Sequence, residues 1–229
     1  MQLAIFGFIF DEHLTFSDQV SALSKSCYYH IRELRCLRPY LDFKTASTIA
    51  TSIAYSKLDY CNSLYYNLPQ SQMKKLQNSL AHAVTRKPKS SHITPVLQSL
   101  DWLKINERIK YKLLSLTYKV LTTNQPQYLH NSISIQPCHN TRSSSMVTLA
   151  RPPTHSSLKI TNRCFRYAAP SLWNDLREPR QTQSPGLSPI THGISSSSPS
   201  SLSPLASSLT RSVFHSELKT WLFSKSFPP

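Results

Sequence analysis

The chain has 229 residues, and its 26 Lys and Arg outnumber 11 Asp and Glu to give a formal net charge of +15. That length supports one domain, or two small ones, with a hydrophobic core, and the uncompensated charge favours a polyanionic partner, either nucleic acid or an anionic surface. Glycine occurs only at Gly7, Gly186 and Gly193, so no dinucleotide fingerprint, Walker loop or GxSxG elbow can be written, and those phosphate cradles and hydrolase turns are excluded.

Residues 1–10, MQLAIFGFIF, read as a buried strand. They lack the basic flank and small-residue cleavage site of a signal peptide, because Asp11 and Glu12 follow at once. No stretch approaches the ~20 apolar residues that span a bilayer. Thr15 or Ser17 caps a helix to about residue 37, with Val20, Leu23, Cys27, Ile31 and Leu34 on one stripe and Pro39 beyond its end. Asp42 caps the next helix, whose inner face is expected to carry Ala46, Ile49, Ile53, Cys61 and Leu64 before Pro69 stops it. A third helix, about 70 to 86, turns Met73, Leu76, Leu80 and Ala83 inward and leaves Lys74, Lys75, His82 and Arg86 outside the stripe.

After a turn at 87–91 and a short helix near 95–100 comes DWLKINERIKYKLLSLTYKVL, expected to be the longest clean helix. At about 100° per residue, Ile105, Ile109, Leu113, Leu116 and Val120 fall within about 80° of one another. Lys104, Arg108, Lys112 and Lys119 fill a second, adjacent arc of about the same width. One face can enter a core while its neighbour presents cations. No acidic residue occurs from Arg108 to Asn174, so these charges lack the interleaved Glu of an ordinary solvated helix. Residues 130–160 read as loop with short strands; 165–176 is helical, with Pro170 implying a kink or two short helices. The Ser/Pro-rich tract 181–209 buries too little apolar surface to order and is expected to be disordered. A last amphipathic helix, about 211–224, sets Phe214, Leu218, Trp221 and Leu222 on one side, to dock back onto the domain.

Candidate chemistry is sparse. The five cysteines, odd in number and without a CxxC, read as reduced thiols, with Cys27, Cys36 and Cys61 filling core. Cys138, His139, His155 and Cys164 match no standard zinc spacing. Asp11–Glu12 is the one adjacent acidic pair, and no third acid lies near it to complete a metal site. His30 and Glu33 share a helix face without forming HExxH. No catalytic residue, metal ligand, cofactor or small-molecule substrate is therefore expected. Nucleic-acid contact is expected from Lys104, Arg108, Lys112, Lys119, Lys74, Lys75, Arg142, Arg151, Arg163 and Arg166, with Tyr111, Tyr118, Tyr167 and Trp173 as aromatic neighbours for single-stranded bases.

The segments FGFIFDEHLTFSDQV, SKSCYYHIRELRCLRPYLDFKTASTIATSIAYSKLDYCNSLYYNLP, HITPVLQSLDWLKINERIKYKLLSLTYKVL, RPPTHSSLKITNRCFRYAAPSLWNDL and LKTWLFSKSFPP, in that order, resemble the carboxy-terminal part of the reverse transcriptase of LINE-type non-LTR retrotransposons. The nearest likeness is to the vertebrate LINE-two and chicken-repeat clade of the jockey group. The resemblance implies that residues 1–16 correspond to the end of a polymerase palm, after its catalytic aspartates. It implies a helical thumb-like unit at 17–129 followed by the family's C-terminal region; with the composition read above, that region divides into a basic loop-rich part at 130–180, the disordered linker at 181–209 and a C-terminal helix at 210–229. The chain has no Tyr-Ala-Asp-Asp box and no Asp-Asp dipeptide, so the polymerase's metal-binding acids map onto no position here.

The expected fold is mainly α: a helical, thumb-like bundle preceded by a short strand, with the Ser/Pro-rich insertion before the last helix. The expected function is that of a non-catalytic remnant of an RNA-directed DNA polymerase, binding RNA, DNA or hybrid duplex without sequence preference, intracellular, nuclear or cytoplasmic, and not secreted. The alternatives are a protein-interaction module built on the C-terminal helix with Phe214 and Trp221, and a translated relic without selected function.

Overall fold

The computed structural model describes residues 2–136, 148–153, 161–177 and 210–228. The expected disorder at 181–209 lies outside these residues, as do Arg142, Cys138, His139 and His155. The described chain is mainly helical, with a two-stranded antiparallel sheet at its start.

The expected single buried strand is instead a hairpin, β1 (Gln2–Ile5) and β2 (Phe8–Asp11), registered Gln2↔Asp11 to Ile5↔Phe8. Phe6 and Gly7 form its two-residue turn with positive φ at both positions, 49° and 74°, the arrangement whose twist suits a tight hairpin. From Leu3 to Asp11 only Phe8 is buried; Phe6 stands 92% exposed at the tip, its carbonyl accepting from the Tyr60 hydroxyl at 2.6 Å. The hairpin is held by an aromatic cluster, with ring centroids of Phe8 and Phe16 5.3 Å apart and of Phe8 and Tyr65 5.9 Å apart. The Gln19 Oε1 accepts from the Ile9 backbone at 2.9 Å.

Asp11 is a turn anchor. Its carboxylate accepts from the Thr15 amide at 2.8 Å, the Thr15 hydroxyl at 2.7 Å and the Phe16 amide at 2.6 Å, which braces Phe16 at a left-handed φ of 58°. Desolvation pushes its pKa up, and these hydrogen bonds outweigh it, holding the group at about 2 against an ordinary 3.8. Because the folded pKa is the lower one, the stabilisation is complete above the ordinary value and is lost as pH falls from there toward about 2. Asp11→Asn should therefore flatten the acid limb of stability in that window, read by urea melts at successive pH values. An unchanged acid limb would remove this role.

Helix α1 (Ser17–Leu37) is the longest element, exceeding the expected record-holder α5 (Ile105–Thr123) because the latter begins only after Lys104. Neither Thr15 nor Ser17 caps α1; its cap position is Phe16, with no side-chain cap. Leu23, Cys27, Ile31 and Leu34 are buried as the stripe predicts. Cys36 is exposed, contrary to its reading as core, because nine residues beyond Cys27 place it on the opposite side of the helix. Burial pushes the Cys27 thiol up to about 11, so it is an inert apolar filler.

Asp42 caps α2 (Phe43–Ile53), its carboxylate accepting from Thr45 N at 3.1 Å. The helix widens into a π-helical stretch, Ala54–Leu58, and stops there, short of the expected Pro69, because Cys61 turns left-handed at φ 51° before a separate 3-10 turn, Asn62–Tyr65. Its inner face is Ala46, Ala50, Ala54 and Leu58; Ile49, Ile53 and Cys61 are half-buried and Leu64 is exposed. The fully buried positions of α2 are thus its small alanines and Leu58, while Ile49 and Ile53 pack half-buried against the same core.

Helix α3 (Ser71–Thr85) is central, packing on α1, α2, α5 and the short α4 (Ile93–Ser99). Leu80 to Val84 are all buried. His82, expected outside the stripe, is buried because the turn after α3 folds back, with Ser91 Oγ 3.5 Å from His82 Nδ1. On α5, Ile105, Ile109, Leu113 and Val120 are buried and Leu116 half-buried. After α6 (Gln127–His130), a single bridge pairs Ile135 with Leu149. Asn174 clamps it, accepting from Leu149 N at 3.0 Å and donating to Leu149 O at 2.9 Å. Helix α7 (Phe165–Arg177) runs through Pro170 as one helix rather than two, with Ala168, Ala169, Leu172 and Trp173 buried around the proline. Helix α8 (Arg211–Ser226) docks on α5 through Phe214, Leu218 and Leu222. One apolar cluster runs from Phe8 through Leu149 and Trp173 to Phe227, so every described stretch contributes to it.

Candidate nucleic-acid interface

The cationic arc of α5 divides in two. Arg108 faces inward and makes a two-pronged ion pair with Asp59, Nε to Oδ1 at 2.8 Å and Nη2 to Oδ2 at 2.5 Å, with side chains 15% and 20% exposed. Lys104, one turn earlier, ties down the end of the last helix: its Nζ donates to the Ser226 carbonyl at 2.5 Å and sits 4.9 Å over the Phe227 ring. Both charges thus fasten distant segments to the start of α5. Their sequence spacing is right for a surface stripe, but their partners lie 49 and 122 residues away. Lys112 and Lys119 are exposed and have no carboxylate partner among the described residues.

The remaining candidates also divide. Lys74 and Lys75 on α3 and Arg166 on α7 are exposed and unpaired with any carboxylate among the described residues. Arg151 is exposed and lies 4.0 Å from Asp175, a distance at which a solvated pair contributes little. Arg163 is structural: it donates to the carbonyls of Leu14 at 3.0 Å and Leu64 at 3.4 Å and lies 5.2 Å over the Phe16 ring. Two of the four expected aromatic platforms are withdrawn, while Tyr111 and Tyr167 are half-buried. Trp173 is fully buried, and Tyr118 stacks on Phe214 at 4.0 Å and 9°.

Two clefts flank the exposed lysines. Lys112 rims a cavity of about 780 Å³ between the end of α2, α5 and α8, with Tyr55, Tyr111, Lys219 and Phe223 in its lining. Lys119 opens onto a polar groove of about 920 Å³ lined by Asn124, Gln127, His130 and Asn131. Tyr55, Lys219 and Phe223 were not legible as neighbours, since only the docking of α8 brings them together. The amide-rich run NQPQYLHN after α5 did carry a signal for the second groove.

Among the described residues no group of three or more His, Cys, Asp or Glu could hold a metal ion. Glu12 is exposed and Asp11 serves the turn. No described helix is long and apolar enough to cross a membrane. No family model, curated protein or solved structure matches the chain.

Proposed function

We propose that this chain is a non-catalytic helical remnant of a retrotransposon RNA-directed DNA polymerase, working inside the cell, in nucleus or cytoplasm, and binding duplex RNA, DNA or hybrid by its backbone. The observation that carries the reading is the set of exposed cations on rigid helices, Lys74, Lys75, Lys112, Lys119 and Arg166, which have no carboxylate partner among the described residues of a chain of charge +15. Such cations release condensed counterions from phosphates and read no sequence. The order of family-like segments along the chain supports the ancestry.

Charge reversal tests it. Lys112→Glu with Lys119→Glu should weaken binding to every duplex sequence by the same factor. It should also make the slope of log K against log salt shallower by about 1.8, the share of two phosphate contacts. Affinity unchanged by the double reversal, or lost for one sequence only, contradicts the assignment. Primer extension by the purified chain would contradict the absence of catalysis.

A further inference from the structure

The C-terminal ends of α1 and α3 meet at a cleft of about 270 Å³ lined by Arg35, Arg38, Pro39, His82, Ala83, Arg86 and Lys87, with no carboxylate in its lining. Cations at helix C-termini are expected from the helix dipoles alone, and part of this cluster answers to that. Arg38, 8% exposed, donates from Nε to the Val84 carbonyl at 2.6 Å and from Nη1 to the Leu41 carbonyl at 2.8 Å. Arg86 donates from Nη2 to the Arg38 carbonyl at 2.6 Å. These bonds lock the two helix ends together and fix the cleft's shape.

They do not account for the rest. The Nη2 of Arg38 has no protein partner among the described residues, and neither do the side chains of Arg35 and Lys87. His82 is buried against the same cleft, its Nδ1 beside Ser91 Oγ and its Nε2 without a protein partner among the described residues. Four permanent cations, Arg35, Arg38, Arg86 and Lys87, and an imidazole thus converge where no carboxylate of the described residues balances them. A buried, anchored guanidinium with an unused edge is the pre-organised half of an oxyanion site, because it forms charge-assisted bonds without first losing its own freedom.

We propose that this cleft binds a phosphate group, held by Arg38 from the inner side and by Arg35 and Lys87 from the rim, with His82 as a further donor. This site is separate from the lysines of α5 and stands whether or not the chain binds duplexes. The phosphate could be free or could terminate a nucleic acid, and the two sources share this chemistry.

His82 supplies a local reporter. Burial, then the nearby charges of Arg35 and Lys87, hold its pKa below the ordinary histidine value; Arg38 and Arg86 also face the cleft. A bound dianion opposes all of these and should raise it. The full chain is titrated with inorganic phosphate at constant ionic strength while the His82 imidazole resonances are followed. The expected result is a saturable shift with one site and an upward move of the His82 pKa. Arg35→Gln with Lys87→Gln, both at exposed positions, should weaken binding by about tenfold or more. Lys25→Gln with Lys44→Gln, the same charge change elsewhere on the surface, should leave it unaltered. In a parallel arm, a 5′-phosphorylated trinucleotide competing better than its 5′-hydroxyl counterpart assigns the site to a nucleic-acid end; equal competition assigns it to free phosphate. A shift that does not saturate, or equal phosphate affinity in both double variants, overturns the proposal. Loss of duplex binding with phosphate binding intact would count against the proposed function alone.

Discussion

Trp173→Ala is expected to destabilise the fold by about 3–5 kcal/mol, the range for truncating a large buried aromatic. Trp173 is 0% exposed in the middle of α7. Its ring lies 6.1 Å from Phe214 of α8 at 27°, and Phe214 in turn stacks on Tyr118 of α5. Removing the indole opens a cavity at the point where three helices share one aromatic stack. A loss of that size is a large part of the ~5–15 kcal/mol that holds a typical domain together. The urea midpoint should fall sharply, and the contact of α8 with α5 should loosen first, seen as weaker amide protection in 211–226 than in α3. A loss below about 1 kcal/mol would mean that this stack does not join the helices.

The second large effect concerns Arg108. Arg108→Gln should cost about 1–3 kcal/mol, because Asp59 is left partly buried without its ionic partner. A double-mutant cycle with Asp59→Asn should recover a coupling of about the same size. The same substitution should leave the salt dependence of nucleic-acid binding unchanged, since this guanidinium is engaged with Asp59 rather than with phosphate. A flatter salt slope in Arg108→Gln, with stability intact, would return Arg108 to the binding surface.

These two residues mark where sequence reasoning reached its limit. Period was legible and capping in part: the stripes of α1, α3 and α5, the Asp42 cap and the inward face of α8 follow from spacing, because helical geometry is local, whereas neither Thr15 nor Ser17 caps α1. The hairpin was not, since its Phe-Gly turn lacks the Asn-Gly signature and the apolar run continues across it. On α2 Ala46 was read correctly, but the centre of the face lies on Ala50, Ala54 and Leu58, with Ile49 and Ile53 only half-buried beside it, because hydropathy undervalues small side chains. The candidate site was half legible. A helical wheel places Lys104 and Arg108 beside Lys112 and Lys119 with equal justice, and only the approach of Asp59 and Ser226 from far along the chain separates them. Arg163 differs from Arg166 in the same way, through contacts to Leu14 and Leu64 that no local pattern encodes.

The direct test of the central claim is equilibrium binding of the intact chain to duplex DNA, duplex RNA and a hybrid across about 50 to 200 mM salt. Two to five phosphate contacts from the exposed lysines and Arg166 give slopes of log K against log salt from about −1.8 to −4.5, a weakening of about 12- to 500-fold over that range, alike for unrelated sequences. A slope near zero, or no binding to any of the three at the lowest salt, contradicts the account.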